Sequence, residues 1–349
     1  MSSITSIQRS NAAMRSLRYS AILLGLLVGF GQALRGQGVA SATLEEAQST
    51  LKDEIIKQIR FLEGEFSVAN RLRDRRAGSD GQVDFWKFNL AIARCDLAYL
   101  EKKNEAACEQ LRIATEIRKS QLDRELRLRG TGGFSEGMVD EARRRVASAA
   151  YRLARHHEKP NEMRRQLKLV IEICEKESER IQRLCRQGAC TEADLEDAQY
   201  RLASARFLLA EVNGEAKEVM RQASLMVEIR SRKYEREKKL FTSGVSSQEV
   251  MADFLVNLLR SQYRLAVEEI KQDPSRKNRD RLVFLTESLV DVCGKRLELK
   301  NRNPMVLAYE KAYVKWEIAA ERYRQALASR GLFYEYRPIS ELDGIISSW

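Results

Sequence analysis

Apolar residues recur at intervals of three and four in four separate segments of this chain, and polar residues fill the intervening positions. This spacing is typical of a helix that buries one stripe, as in a coiled-coil seam. The fourth place of every stripe holds a small residue, so a neighbouring helix can come close there. The stripes are Val83, Trp86, Leu90, Ala93, Leu97; Val139, Ala142, Val146, Ala149, Leu153; Leu195, Ala198, Leu202, Ala205, Leu209; and Met251, Phe254, Leu258, Ser261, Leu265.

The stripes belong to a repeat of 56 residues. A hydroxyl residue precedes each stripe, at Ser79, Ser135, Thr191 and Ser247. A basic residue and a leucine stand eight and seven places before the hydroxyl, at Arg71-Leu72, Arg127-Leu128, Arg183-Leu184 and Lys239-Leu240. Glycine stands three places before it at Gly132, Gly188 and Gly244, whereas the first copy has Arg76 there. A degenerate fifth copy carries Arg296-Leu297, Ala312, Trp316, Ala319 and Tyr323.

Each repeated phrase has the chemistry of a turn between two helices. Cations suit the end of a helix, glycine adopts the left-handed conformation that stops it, and Ser or Thr caps the next helix. Breaks at His156–Asn161, Asn213-Gly214 and Asp273–Ser275 divide the later units into two helices of about 25 residues. In the first unit the break is expected at Asn104, or a single helix runs from Gly81 to Arg129.

The repeat therefore predicts an all-α fold, an elongated array of antiparallel helical hairpins packed as a bundle or a stack. Only four prolines and 18 glycines occur among the 349 residues, which favours long helices. The hairpin domain is expected to span residues 43–330. A short C-terminal segment, residues 331–349, is rich in aromatic residues and is expected to fold back on the last helices.

Residues 1–42 have the pattern of a secretory signal peptide. Arg9, Arg15 and Arg18 precede an uncharged apolar run over residues 21–34, and Ala40-Ser41-Ala42 offers a cleavage site after Ala42. Gly31-Gln32-Ala33 is a second candidate site, and an uncleaved N-terminal anchor is the other interpretation. The pattern predicts export, to the periplasm or outside the cell.

Charge argues against a nucleic-acid partner. The whole chain carries a formal charge of +11, and removal of the four arginines of residues 1–42 leaves 11 − 4 = +7. The basic clusters at 71–76, 124–129 and 230–239 stand just before predicted helix ends, where they complement the helix dipole. Anionic lipid is the functional alternative for these clusters, so membrane association stays open.

Candidate catalytic chemistry is sparse. The two histidines, His156 and His157, are adjacent in a predicted turn, and neighbours on a helix do not share a face, which disfavours a metal pair. The glycine-rich segment 130–137 lacks the ending of a phosphate-binding loop. We therefore expect a protein that is not an enzyme and that uses no cofactor or metal.

Six cysteines would meet an oxidising compartment if the chain is exported. Cys185 and Cys190 flank one predicted turn, where a bridge would staple the tip. Cys95 falls in a column that holds an aromatic residue in the other copies, so most of the cysteines are expected to be free and buried.

The stretch "KLFTSGVSSQEVMADFLVNLLRSQYRLAVEE", from Lys239, resembles the helical hairpins of TolC-type outer-membrane efflux proteins and of their periplasmic adaptors. The resemblance implies end-on docking of hairpin tips, with contacts at Arg183, Leu184, Thr191, Lys239, Leu240 and Ser247.

Two functions follow as expectations. The first is an exported scaffold, structural or protein-binding, that contacts other proteins through helical faces or hairpin tips and could associate with copies of itself. The second is a TolC-like or adaptor-like component of an envelope efflux or secretion system.

Overall fold

A computed structural model describes residues 43–130, 135–302, 308–330 and 332. The described residues form ten α-helices and no strand, which confirms the all-α prediction. In chain order the helices are α1 Leu44–Asp74, α2 Asp80–Leu100, α3 Asn104–Gly130, α4 Glu136–His156, α5 Pro160–Arg186, α6 Glu192–Asn213, α7 Ala216–Thr242, α8 Gln248–Gln272, α9 Arg276–Arg302 and α10 Ala308–Ser329.

The predicted breaks within the units are confirmed, and the first unit also consists of two helices. The chain leaves α2 through Lys102, whose φ is +59°, and the Lys103 N–H donates to the Ala98 carbonyl at 2.8 Å. Helix α3 then starts at Asn104. The alternative of one helix from Gly81 to Arg129 is wrong, because the left-handed residue reverses the chain direction.

Consecutive helices are antiparallel and pack side by side. Arg201 and Arg206 on α6 pair with Glu177 and Glu175 on α5 at 2.8 and 2.7 Å. The later residue of α6 pairs with the earlier residue of α5, so the two helices run in opposite directions. Helix α10 also packs against α1, and no other pair of described helices has close backbone contact. Because the helices alternate in direction, an even number of them allows the last helix to pack antiparallel to the first. The hairpins of the described region therefore form a closed ring rather than an open stack.

The even-numbered helices lie towards the inside of this ring. Helix α6 buries nine of its 22 residues, whereas its neighbour α5 buries four of 27. Side chains also join alternate helices: Tyr99 of α2 contacts His156 of α4, and Arg260 of α8 contacts Glu321 of α10. The odd-numbered helices cover the outside and present one apolar stripe inward.

The predicted stripes supply part of the core: ten of their twenty residues are buried and the other ten are half-buried. The small fourth-place residues Ala93, Ala149, Ala205 and Ser261 are all buried. One apolar cluster combines residues of α1 and α2 with Trp316, Ala319 and Tyr323 of α10, and it closes the ring. These three residues belong to the degenerate fifth copy, which thus completes the ring although its sequence has diverged.

Buried ion pairs hold α8, α9 and α10 together. Glu317 accepts from Arg260 at 2.9 Å and from Arg296 at 2.5 Å, and Glu321 accepts from Arg324 at 2.8 Å. Breaking one partner of such a network is costly because a buried charge is left uncompensated. The basic residue of the fifth copy, Arg296, is therefore committed to joining α9 to its neighbours.

Several sequence predictions lie outside the described residues. These are the signal peptide with its cleavage sites, the glycine at Gly132 and the aromatic tail, of which only Leu332 is described. None of the described helices combines the length and apolar character that a transmembrane span requires.

Candidate functional site

The candidate residues lie in the turns that connect odd-numbered to even-numbered helices. We call this end of the ring the tip end and define it as these turns plus two helical turns on either side; the opposite end is the base end. Because the helices alternate in direction, every such turn lies at the same end. The six predicted contact residues, Arg183, Leu184, Thr191, Lys239, Leu240 and Ser247, are all exposed there, on two neighbouring tips.

The backbone of each described tip forms a Schellman motif. In this common helix ending, two backbone N–H groups that follow the helix donate to carbonyls of its last turn. In the fourth copy, Gly244 has φ +75° and donates to the Phe241 carbonyl at 3.0 Å, while Val245 donates to the Leu240 carbonyl at 2.9 Å. The third copy repeats this geometry at Gly188, with φ +72°. The predicted turns are therefore confirmed at these two glycines.

Arg76 takes the place of glycine in the first copy and adopts the same conformation, with φ +56°. The N–H of the next residue, Ala77, donates to the Leu72 carbonyl at 2.8 Å. The turn thus forms without glycine, at the steric cost of a side chain in the left-handed region.

The leucine column has a structural reason. In a Schellman motif the residue that accepts the outer hydrogen bond commonly makes an apolar contact with the residue that donates it. Leu184 and Ala189 hold these positions in the third copy, and Leu240 and Val245 in the fourth. Much of each side chain nevertheless remains exposed to solvent: Leu184 is 37% exposed, Leu240 38% and Val245 75%.

The hydroxyl column caps the even-numbered helices, as predicted. The Thr191 hydroxyl accepts from the Asp194 N–H at 3.2 Å, and the Asp194 carboxylate accepts from the Thr191 N–H at 2.8 Å. Ser247 accepts from the Val250 N–H at 3.2 Å. The pKa of Asp194 is lowered, first by the Thr191 hydroxyl and then by its backbone N–H.

Cations surround these turns. Arg183 and Lys239 stand in the last turns of α5 and α7, where they complement the helix dipole. The exposed basic side chains at the tip end that have no ion-pair partner among the described residues are named here the tip cations. They are Arg71, Arg75, Arg76, Arg127, Arg129, Arg180, Arg183, Arg186, Lys239 and Arg302.

Exposed apolar side chains concentrate at the same end. Of the twelve large apolar residues that are exposed in the described part of the chain, nine lie at the tip end. The other three are Leu169 and Phe284 on the outer helices and Leu332 at the base end. The nine are Val68, Leu72, Leu126, Leu128, Met138, Leu184, Leu240, Val245 and Val250.

A disulfide joins Cys185 to Cys190 across the third tip, with the Cα atoms 4.7 Å apart. The question that the sequence left open at this turn is thereby decided. Cys95, Cys108, Cys174 and Cys293 are free and buried, as expected for most of the cysteines. Burial raises the pKa of the Cys174 thiol to about 11, so this thiol stays protonated at neutral pH.

A cavity of about 190 Å³ lies between α4 and α5 near the tip end. Its lining mixes both signs of charge, with Lys176, Arg180 and Arg183 facing Glu136, Asp140, Glu141 and Glu177. The Arg180 guanidinium lies where a side chain at Gly137 would be, since a Cβ there would meet its Nη1 at 2.1 Å. Glu177 and Asp140 are already paired with Arg201 and Arg143. The cavity therefore offers no single charge type to a ligand.

The base end carries a polar cluster that the sequence did not predict. The Tyr99 hydroxyl lies 2.5 Å from Nδ1 of His156, and Sγ of Cys108 lies 3.4 Å from Nε2 of His157. The adjacent histidines thus reach two partners from α2 and α3. Burial and the neighbouring His157 lower the pKa of His156, which the backbone at Asn104 partly offsets. No group of metal-ligand side chains in the described ranges has the arrangement that a metal ion needs.

Comparisons with family models, with curated proteins and with solved structures find no match to this chain. The resemblance to TolC-type hairpins therefore rests on the residues of the turns and on the helical pattern alone.

Proposed function

We propose that this protein is an exported, non-enzymatic scaffold, structural or protein-binding, and that its tip end is the surface through which it contacts other molecules. The observation that carries the proposal is the unequal distribution of exposed apolar residues, of which nine of twelve in the described region lie at this end. Apolar patches rimmed by polar residues are typical of interaction sites. Export is supported by the disulfide between Cys185 and Cys190, because such bonds persist in oxidising compartments.

The test compares two double variants in the native cell. Leu184→Glu with Leu240→Glu places charge on two tips, whereas Leu169→Glu with Phe284→Glu makes similar changes at sites of similar exposure on the outer helices. We expect wild type and the second variant to cross-link into the same larger assembly in the envelope fraction, and the tip variant to be released from it. Equal behaviour of the two variants would contradict the proposal. Recovery of the intact chain from the cytoplasm would contradict export.

A second candidate function is an adaptor-like component of an efflux or secretion system. It is favoured by the joint exposure of the Arg183-Leu184 and Lys239-Leu240 pairs on neighbouring tips, the positions that the resemblance implies as contacts. This function predicts that cells lacking the protein accumulate a fluorescent efflux substrate, and that a gene encoding Arg183→Glu and Lys239→Glu fails to restore efflux. Unchanged dye accumulation in the deletion strain would favour the scaffold.

A further inference from the structure

We infer that the tip end docks on the surface of an anionic phospholipid bilayer. The inference rests on the proposed function, because it takes the tip end as the working surface and specifies what that surface binds. Three features of the described residues support it: the level at which the tips stand, the placement of their apolar side chains, and their charge.

The tips stand at one level. Helices α3, α5 and α7 each have 27 residues, and a helix rises about 1.5 Å per residue, so their ends lie at equal distance from the base end. The 56-residue register then brings Leu128, Leu184 and Leu240 to the same height on successive tips. A set of equivalent side chains at one height suits a planar target.

The apolar residues are distributed as separate small units. The exposed leucines are divided among four turns, with Leu126 and Leu128 sharing one, and each turn has its own flanking cations. Val245 at the apex of the fourth tip is 75% exposed. A partner helix would instead need one continuous apolar groove. Single apolar side chains beside basic residues fit shallow insertion at the boundary between lipid headgroups and acyl chains.

The charge of the tips is complementary to anionic lipid. Most acidic residues of the described tip end are already committed to a partner; for example, Asp74 pairs with Arg73 at 3.0 Å, Asp194 caps α6, and Glu249 pairs with Lys300 at 2.8 Å. The ten tip cations outnumber the acids of the described tip end that have neither an ion-pair partner nor a hydrogen-bonding or capping role, which are Asp80, Glu125, Glu136, Glu192 and Glu298. Basic clusters at a surface are attracted to anionic headgroups.

The experiment places an environment-sensitive thiol fluorophore on the full chain at Val245→Cys, with Leu169→Cys as the matched control on the outer face of the ring. The four free native cysteines are buried and the other two are bridged, so labelling is directed to the introduced thiol. The probe membranes are vesicles of equal parts phosphatidylglycerol and phosphatidylcholine, compared with vesicles of phosphatidylcholine alone. Both labelled chains carry residues 1–42, so any contribution of that segment is common to both.

We expect the label at position 245 to shift to shorter wavelength on the anionic vesicles only, and the label at position 169 to stay unchanged. High salt should weaken the shift, because it screens the tip cations. In the chain labelled at 245, Leu240→Glu should reduce the affinity for vesicles by about tenfold, since it removes an apolar contact and adds a repelled charge. Leu169→Glu should leave that affinity unchanged.

An unchanged label at position 245 on anionic vesicles, or equal shifts at positions 245 and 169, would overturn the inference. This result is separable from failure of the proposed function. If Leu184→Glu with Leu240→Glu releases the protein in the cell while vesicles leave the 245 label unchanged, the tip end binds a protein and the proposed function stands.

Discussion

The hydroxyl groups of Tyr200 and Ser261 lie 3.4 Å apart inside the ring, although α7 separates their helices along the chain. Ser261 occupies the small fourth place of its stripe and is buried, as Tyr200 is. Arg230 and Arg264 face the same tyrosine and lower its pKa against the opposing effect of burial. This contact shows what the small residue does there: it leaves room for a large side chain of the neighbouring even-numbered helix, here Tyr200.

Enlarging such a position should destabilise the ring. We expect Ser261→Leu to lower the free energy of unfolding by about 1 to 3 kcal/mol, because extra volume in a packed interior forces neighbours aside. Ser120→Leu, at an exposed position of α3, should change stability by less than about 0.5 kcal/mol. Urea unfolding followed by circular dichroism measures both. Equal effects would mean that the Ser261 site has room for the larger side chain.

The cap at Thr191 depends on its hydroxyl. Thr191→Ala should cost about 0.5 to 2 kcal/mol, whereas Thr191→Ser should be nearly neutral because serine accepts the same hydrogen bond from Asp194. Thermal melting of the three proteins distinguishes them. A Thr191→Ala protein that melts like wild type would contradict the structural role of this residue.

The left-handed position of the tips predicts opposite effects of two substitutions. Arg76→Gly should stabilise the protein by about 0.5 to 1 kcal/mol, because glycine adopts a positive φ without steric penalty. Gly244→Ala should destabilise it by about 1 to 2 kcal/mol through the backbone alone, since a Cβ there would touch no atom within 4 Å. Chemical denaturation checks the two signs. The same sign for both changes would rule out backbone conformation as the cause.

His156 should make stability depend on pH. Its pKa lies below the usual value of 6.5, so just below that pH the unfolded chain binds more protons than the folded one. The free energy of unfolding should therefore fall as pH decreases below 6.5, until the folded-state pKa is passed. His156→Gln should show a smaller slope in this window while keeping an acceptor for Tyr99. Denaturation at pH values from about 5 to about 8 provides the comparison; identical slopes would contradict the prediction.

The disulfide should contribute modestly because it closes a short loop. Reduction is expected to cost about 2 kcal/mol, with the helix cap at Thr191 keeping the turn in place. Melting with and without a thiol reductant measures this effect. A Cys185→Ser, Cys190→Ser protein is the control and should not respond to the reductant.

The sequence by itself determined the parts of this protein that depend on neighbouring residues. Gly188 and Gly244, followed by Thr191 and Ser247, specify turns because a left-handed residue and a side-chain cap act within a few residues of themselves. The period of three and four specifies that each helix buries one side, and it places the small residues Ala205 and Ser261 at buried positions. The breaks of the later units follow from these local rules, whereas the first unit stayed open between one helix and two.

Only the tertiary structure decided what depends on distant contacts. A stripe such as Leu195 to Leu209 states that a helix packs but not on which partner, so closure of α10 on α1 through Trp316 and Tyr323 could not be predicted. Arg296 matches the tip cations in local sequence, yet Glu317 of α10 draws it into a buried ion pair. The exposure of Leu184, Leu240 and Val245 likewise follows from ring geometry, because a local pattern specifies the helix ending but not which residues of the folded chain cover it.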